Sequence, residues 1–266
     1  MVGQPRQDRS SRLARIADGC RGIAIPVAIF LALGVGWHLA VTTLRIPPLL
    51  LPGPVAVLKS AMAEREILAH ATAYTLVEII IATMIAVAAG FATAVLFTVL
   101  PAARRTVFPY ILMTQVVPKV ALAPILVAWF GIGIQSRLIL AFLIAYFPMV
   151  INTLTGLLGT PEATLQYARS LAASDLQILM KVRLPAALPT IMAGMKITAG
   201  VAVIGVIVGE FVATDEGLGK VIVESVAALD TSLTVAATLA VGCLGLLLLG
   251  LVELAEKHIV YWQARP

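Results

Sequence analysis

The chain has 266 residues, 60% of them apolar and 12% charged, with a mean hydropathy of +1.00 and a net charge of +5. An ordinary soluble domain carries roughly a quarter charged residues, so this composition excludes a water-soluble globule and calls for lipid. The positive charge gathers in the tail and loops around apolar runs, which accounts for it without a nucleic-acid partner.

Residues 1–20 are rich in Arg, Ser, Gln and Asp and cannot bury apolar surface, so they read as a solvated basic tail. The apolar run 23–44 follows. It is too long for the core of a secretory signal and matches the roughly 20 residues that cross a bilayer of about 30 Å. Next, Ile46 to Pro54 contains four prolines, which exclude a helix and favour an extended segment. Val55 to Ala69 has mixed polarity and is predicted as a short surface helix. Further apolar runs lie at 76–100, 107–130, 136–157, 193–213 and 232–252, making six in all. None shows the in/out alternation of a membrane barrel strand, and only helices or closed barrels satisfy the backbone in lipid. The expected fold class is therefore all-α and polytopic, with about six spans in one transmembrane domain over residues 21–262. The absence of an internal or inverted repeat removes one sign of a self-sufficient secondary transporter.

Basic residues orient the spans. Arg6, Arg9, Arg12, Arg15 and Arg21 precede the first run. With six spans, Arg104 and Arg105, then Arg169, Lys181 and Arg183, then Lys257 and Arg265, fall on the same side. The positive-inside rule makes that side cytoplasmic, with both termini inside. Arg45, Lys59, Arg65, Arg137 and Lys220 are left to the opposite loops, where Asp215, Glu216, Glu224 and Asp230 add acid.

Charges at membrane depth are costly, so Lys119, Glu78 and Glu210 invite a functional reading. Lys119 lies in a run interrupted by Pro109, Pro118 and Pro124, and a broken helix can present polar groups to a cavity. Three placements stay open for it: facing a translocation pathway, pairing with Glu210, or snorkelling to an interface. Glu78, near a span end, is expected at the interface, and Glu210, just before Phe211, at an outer gate. Gln115 and Asn152 are candidates for the pathway or for hydrogen bonds between helices. Cys20 and Cys243 form no motif, and His38, His70 and His258 are scattered, so neither metal binding nor catalysis finds support. Gly219-Lys220 lacks the flanking residues of a phosphate-cradling loop.

Between the fourth and fifth runs lies a polar stretch of about 35 residues, 158–192. Leu165, Ala168, Leu171 and Ala172 recur at helical spacing, Ala173-Ser174-Asp175 can start a second helix, and Leu184-Pro185 is expected to stop it. Within it, Gln166-Tyr167-Ala168, three residues, Ala172, nine residues and Val182-Arg183-Leu184-Pro185 keep the spacing of E-A-A-x3-G-x9-I-x-L-P. That signature belongs to bacterial ABC importer permeases. Gln166 stands for its Glu, Tyr167 for an Ala and Ala172 for its Gly. Pro118 to Pro124, Trp129-Phe130-Gly131-Ile132-Gly133, Phe147-Pro148, Asn152-Thr153, Leu184 to Pro189 and Gly217-Leu218-Gly219 also resemble the nitrate/sulfonate/taurine/thiamine-precursor branch, in order from Leu51 to Trp262.

The resemblance implies a type I ABC importer permease of the bacterial inner membrane, a transport subunit and not an enzyme. It implies a coupling helix near Gln166 to Ser174 that docks on a separate ATPase dimer, which holds the ATP and Mg²⁺; no cofactor is expected on this chain. Small side chains at Ala168, Ser170, Ala172 and Ala173 would allow close approach, with Arg169 and Asp175 at the rim. Ala172 is expected to be tolerated if it lies inside a helix and to fail if the position needs positive φ. Gln166 can hydrogen-bond but cannot form an ion pair. A second copy of the permease and an extracytoplasmic solute-binding protein complete the implied assembly. The solute would be small and anionic or like a vitamin precursor: sulfonate, taurine, nitrate or similar. The alternatives are a secondary transporter that works without an ATPase and a membrane scaffold that needs no such loop.

Overall fold

A computed structural model describes residues 28–213 and 215–262. The basic tail at 1–20, with Cys20, lies outside these residues, as does the start of the first apolar run. Among the described residues all regular structure is helical. Helix α1 is Ala28–Thr43. It is followed by α2 (Pro54–Ala63), α3 (Arg65–Val99), α4 (Pro101–Met113), α5 (Ala123–Phe130) and α6 (Ile134–Leu158). Then come α7 (Glu162–Ser170), α8 (Asp175–Ile178), α9 (Leu184–Ala213), α10 (Leu218–Ala227) and α11 (Thr231–Ile259).

Four helical stretches are long and apolar enough to cross a membrane: Arg65–Val99, Ile134–Leu158, Asp175–Ala213 and Thr231–Ile259. The expected run 107–130 does not form one rod. Pro118 cannot donate a backbone hydrogen bond and disfavours helix at the residue before it. The chain therefore leaves α4 at Met113 and re-enters through a tight turn at Lys119–Leu122 into the eight-residue α5. The predicted surface helix over Val55 to Ala69 ends early, at Ala63, and Arg65 to Ala69 instead opens the 35-residue α3. The proline segment before it is pinned: Trp37 Nε1 donates to Pro52 O at 3.1 Å and Thr231 Oγ1 to Leu49 O at 2.7 Å.

Leu184-Pro185 does not stop the second helix of the loop. Residues Leu179–Arg183 form a wide π turn, in which Leu184 N–H reaches back five residues to Leu179 O. The wide turn absorbs the proline, and α8 runs on into α9 as one helical stretch from Asp175 to Ala213.

The centre of the bundle is α6, packed against α9 and α3. Small residues set that closeness. A Cβ on Gly205 would lie 2.6 Å from Ala141 Cα, and one on Gly194 would lie 2.5 Å from Asn152 Cβ. Without a hydrophobic drive between helices in lipid, such contacts are what holds spans together. Around them Ala82, Ala86, Ala141, Ala145, Ala199 and Ala202 are fully buried. Leu246, Leu247, Leu251 and Leu254 on α11 face outward, as residues surrounded by lipid or a partner do. At about 1.5 Å per residue, α6 separates its two ends by more than 30 Å. The α7–α8 loop stands at one end, and the turn from α9 to α10 at the other.

Candidate functional site: a cavity, a polar clasp and a loop

Beside the break between α4 and α5 lies a cavity of about 600 Å³. Its walls come from α3 (Ala89, Thr93), from the broken segment (Ile111, Thr114, Gln115, Val117, Lys119, Leu122) and from α6 (Phe142, Leu143, Tyr146). Among the described residues, Lys119 is the single charged one in this lining. Its Nζ donates to Gln115 Oε1 at 2.6 Å. Tyr146 Oη donates to Thr93 Oγ1 at 2.8 Å, and Thr93 Oγ1 donates in turn to Ala89 O at 2.9 Å. The wall thus carries a fixed hydroxyl pair next to an ammonium. Asn152 does not line the cavity: its Nδ2 donates to Pro148 O on the same helix at 2.8 Å, and its stem packs on Gly194. The bonds of Gln115 and Asn152 therefore run within their own segments, not between helices.

Glu210 lies away from this cavity, so the pairing of Lys119 with Glu210 does not occur. Glu210 is 1% exposed and accepts from Thr75 Oγ1 at 2.7 Å and from Gly219 N–H at 2.6 Å. Thr75 in turn accepts from Leu218 N–H at 2.8 Å. One turn along α3, Glu78 is equally buried, inside the bundle and not on its surface. Both of its carboxylate oxygens accept from Arg137 Nε at 3.0 Å. Arg137 is correspondingly not a loop residue: it sits inside α6, 3% exposed. It also donates to Ala213 O at 2.7 Å and Tyr74 Oη at 2.8 Å. A buried ion pair is tolerable only when such extra bonds satisfy it.

Sequence reasoning missed Arg137, Thr75 and Tyr74. The available signal was charge: Glu78 and Arg137 border apolar runs with opposite sign, and each alone would be costly at that depth.

In the loop, Leu165, Ala168 and Ile178 are buried against Ala173 and Val182. Ala168 is thus part of the loop's own small core and does not offer a docking surface. Gln166, Tyr167, Arg169, Ser170, Ala172, Ser174 and Asp175 are exposed, while Leu184 and Pro185 are half-buried. Ser174 caps α8 reciprocally with Gln177, and Asp175 sits in that helix's first turn. Ala172 is not inside a helix. It has φ +55, with Ala172 N–H bonded to Arg169 O at 2.9 Å and Ala173 N–H to Ala168 O at 3.2 Å. This is a Schellman C-terminus, whose left-handed residue is most often glycine. The condition under which alanine was expected to fail is met here. The geometry explains why the signature has glycine at this point.

Residues 82–261 match the family model described as "Binding-protein-dependent transport system inner membrane component", and the chain belongs to that family. It is a multi-pass permease of an ABC importer. It is similar to a probable ABC transporter permease protein of Haemophilus influenzae, 36% identical over 80% of this chain and 87% of that one. It is also similar to the taurine transport system permease protein TauC of Escherichia coli, 29% identical over 91% and 90% of the two chains. A solved structure of the MetNI methionine ABC transporter in an inward-facing conformation shares the fold, with TM-score 0.57, 22% identity, and coverage of 72% of this chain and 97% of that one.

Proposed function

We propose that this permease conducts a small anionic or vitamin-precursor-like solute, such as a sulfonate, taurine or nitrate, released to it by an extracytoplasmic binding protein. The observation that carries the reading is the cavity of about 600 Å³ with Lys119 as its single charged lining residue. A lone ammonium between apolar walls favours entry of one negative charge. Gln115 holds that ammonium in place. The relative named for taurine supports the same solute class. Asn152 and Glu210 take no part in lining this cavity and serve packing and closure.

The assembly is completed by a second copy of the permease, as one coupling loop per ATPase subunit requires, and by an ATPase dimer that binds ATP and Mg²⁺. Loop 158–192 docks on the ATPase. Its support is an apolar rim of Tyr167, Leu171 and Leu176, left exposed while the loop's own core is already filled. Both termini then lie in the cytoplasm, on the ATPase side.

The test is uptake by the complete complex in liposomes. Lys119→Gln is expected to lower uptake of taurine or an alkanesulfonate about tenfold, the equivalent of one lost charge contact of roughly 1.4 kcal/mol. Unchanged uptake and solute preference would remove Lys119 from the pathway. A Ser170→Cys substitution on the exposed side of the loop that cross-links to no ATPase subunit would remove the loop from coupling.

A further inference from the structure

The bundle end remote from the α7–α8 loop holds two carboxylates served in different ways. Glu78 faces a full positive charge, since Arg137 grips both of its oxygens and joins α3 to α6. Through Ala213 O the same guanidinium also ties down the end of α9. Among the described residues, Glu210 accepts from neutral donors alone, the Thr75 hydroxyl and the backbone N–H of Gly219. The first arrangement joins three long helices. The second joins one short helix, the ten-residue α10, to α3 and α9 through the N–H groups of Leu218 and Gly219.

Two further features distinguish α10. Its approach depends on glycine: Gly217 has φ +101, and Cβ atoms on Gly217 and Gly219 would stand 2.3 Å from Glu210 Oε1 and 2.4 Å from Glu210 Cβ. Polar residues of α3 and α10 also face each other across open space. A cleft of about 460 Å³ opens there, with Glu66, Ile67 and His70 on one wall and Lys220, Val221 and Glu224 on the other. The helix is thus held to α3 by polar bonds at its first turn, where a glycine turn precedes it, and has room beside it.

We infer that Glu210 and Thr75 form a latch: α10 is held across this end of the bundle by their hydrogen bonds, and each transport cycle releases and remakes them. Arg137 and Glu78 form the fixed anchor against which the latch works. Hydrogen bonds to neutral donors suit the moving part, because they can be exchanged for water entering the cleft without leaving a cation stranded. Thr75 and Glu210 are positioning residues that do not touch solute. The inference rests on the importer reading above, because release is taken to follow the ATPase cycle.

The complete complex in liposomes tests it with Thr75→Val and Glu210→Gln. Release of the latch is expected to raise ATP hydrolysis severalfold without solute-loaded binding protein, so that the stimulation on adding that protein shrinks. A purely structural role would lower yield or melting temperature and leave the stimulation ratio at the wild-type value, and that result overturns the latch. Should either variant fail to assemble, spin labels at Ile67 and Val223, both exposed, read the α3–α10 distance in the otherwise unaltered complex. The distance is expected to lengthen between the nucleotide-free and ATP-trapped states, and an unchanged distribution overturns the latch. If the wild-type ATPase is not stimulated by loaded binding protein at all, the importer reading fails. In that event the label distances still decide whether α10 moves.

Discussion

At one end of α6, Arg137, Glu78 and Glu210 are 3%, 1% and 1% exposed, and each of their charged atoms has a partner. At the other end, Tyr167, Leu171 and Leu176 are 67%, 66% and 68% exposed, and Ala172 holds a backbone conformation better suited to glycine. The first region spends its polar groups on itself. The second leaves its apolar groups for something else. A buried charge in a bundle must be satisfied within the chain, because neither lipid nor a transient partner can do it. On the proposed docking role, the loop has the opposite need: an outer apolar face left uncovered within the chain. The difference separates an end whose polar groups are satisfied within the chain from an end that leaves an apolar face uncovered.

The comparison breaks most readily at the anchor. Arg137→Met leaves Glu78 buried and unpaired and is expected to cost about 3–5 kcal/mol, read as a lower melting temperature in detergent. Adding Glu78→Gln to it should recover a large part of the loss. Recovery by the double variant tells an ion pair from a mere packing contact, and no recovery would mean that the guanidinium acts mainly through Ala213 O and Tyr74.

Gly219→Ala comes next. Its methyl group would meet Glu210 at 2.4 Å, and the overpacking is expected to cost about 1–3 kcal/mol. Limited proteolysis within α10, increased relative to wild type, would register it. Equal protection in both proteins would mean that α10 is not seated through this contact.

At the opposite end the sign reverses. Ala172→Gly relieves an alanine at φ +55 and is expected to stabilise the loop by about 0.5–1 kcal/mol, the left-handed penalty less the extra freedom glycine has when unfolded. Hydrogen exchange at Ala172 and Ala173, whose N–H groups close the α7 end, should slow. Faster exchange would show that the strain is not there. The smallest effect is expected from Glu162→Gln, which breaks an exposed contact to Arg169 at 3.8 Å. Such pairs contribute under about 1 kcal/mol and are screened by salt. A larger loss in the isolated permease would mean that the pair organises the loop, and the view of this end as open would need revision.

Composition and the apolar runs made the all-helical membrane class legible, because transfer of apolar surface into lipid depends on residue type and run length alone. The spacing from Gln166 to Pro185 made the family legible, and Ser174 marked the start of α8 because a cap is a local event. Contacts across long separations were not legible. Glu78 and Arg137 are 59 residues apart and Thr75 and Glu210 are 135 apart, and neither pairing has a local signature. The same holds for Ala172: periodicity placed it on a helix, whereas its left-handed φ follows from how α7 turns back to pack Ala173 on Leu165 and Ala168. Residue type and spacing along the chain were enough to give the solvent, the helices and the loop that carries the family's pattern. Which buried charges meet and where Lys119 points came from the folded bundle, because those outcomes depend on how the helices pack against one another.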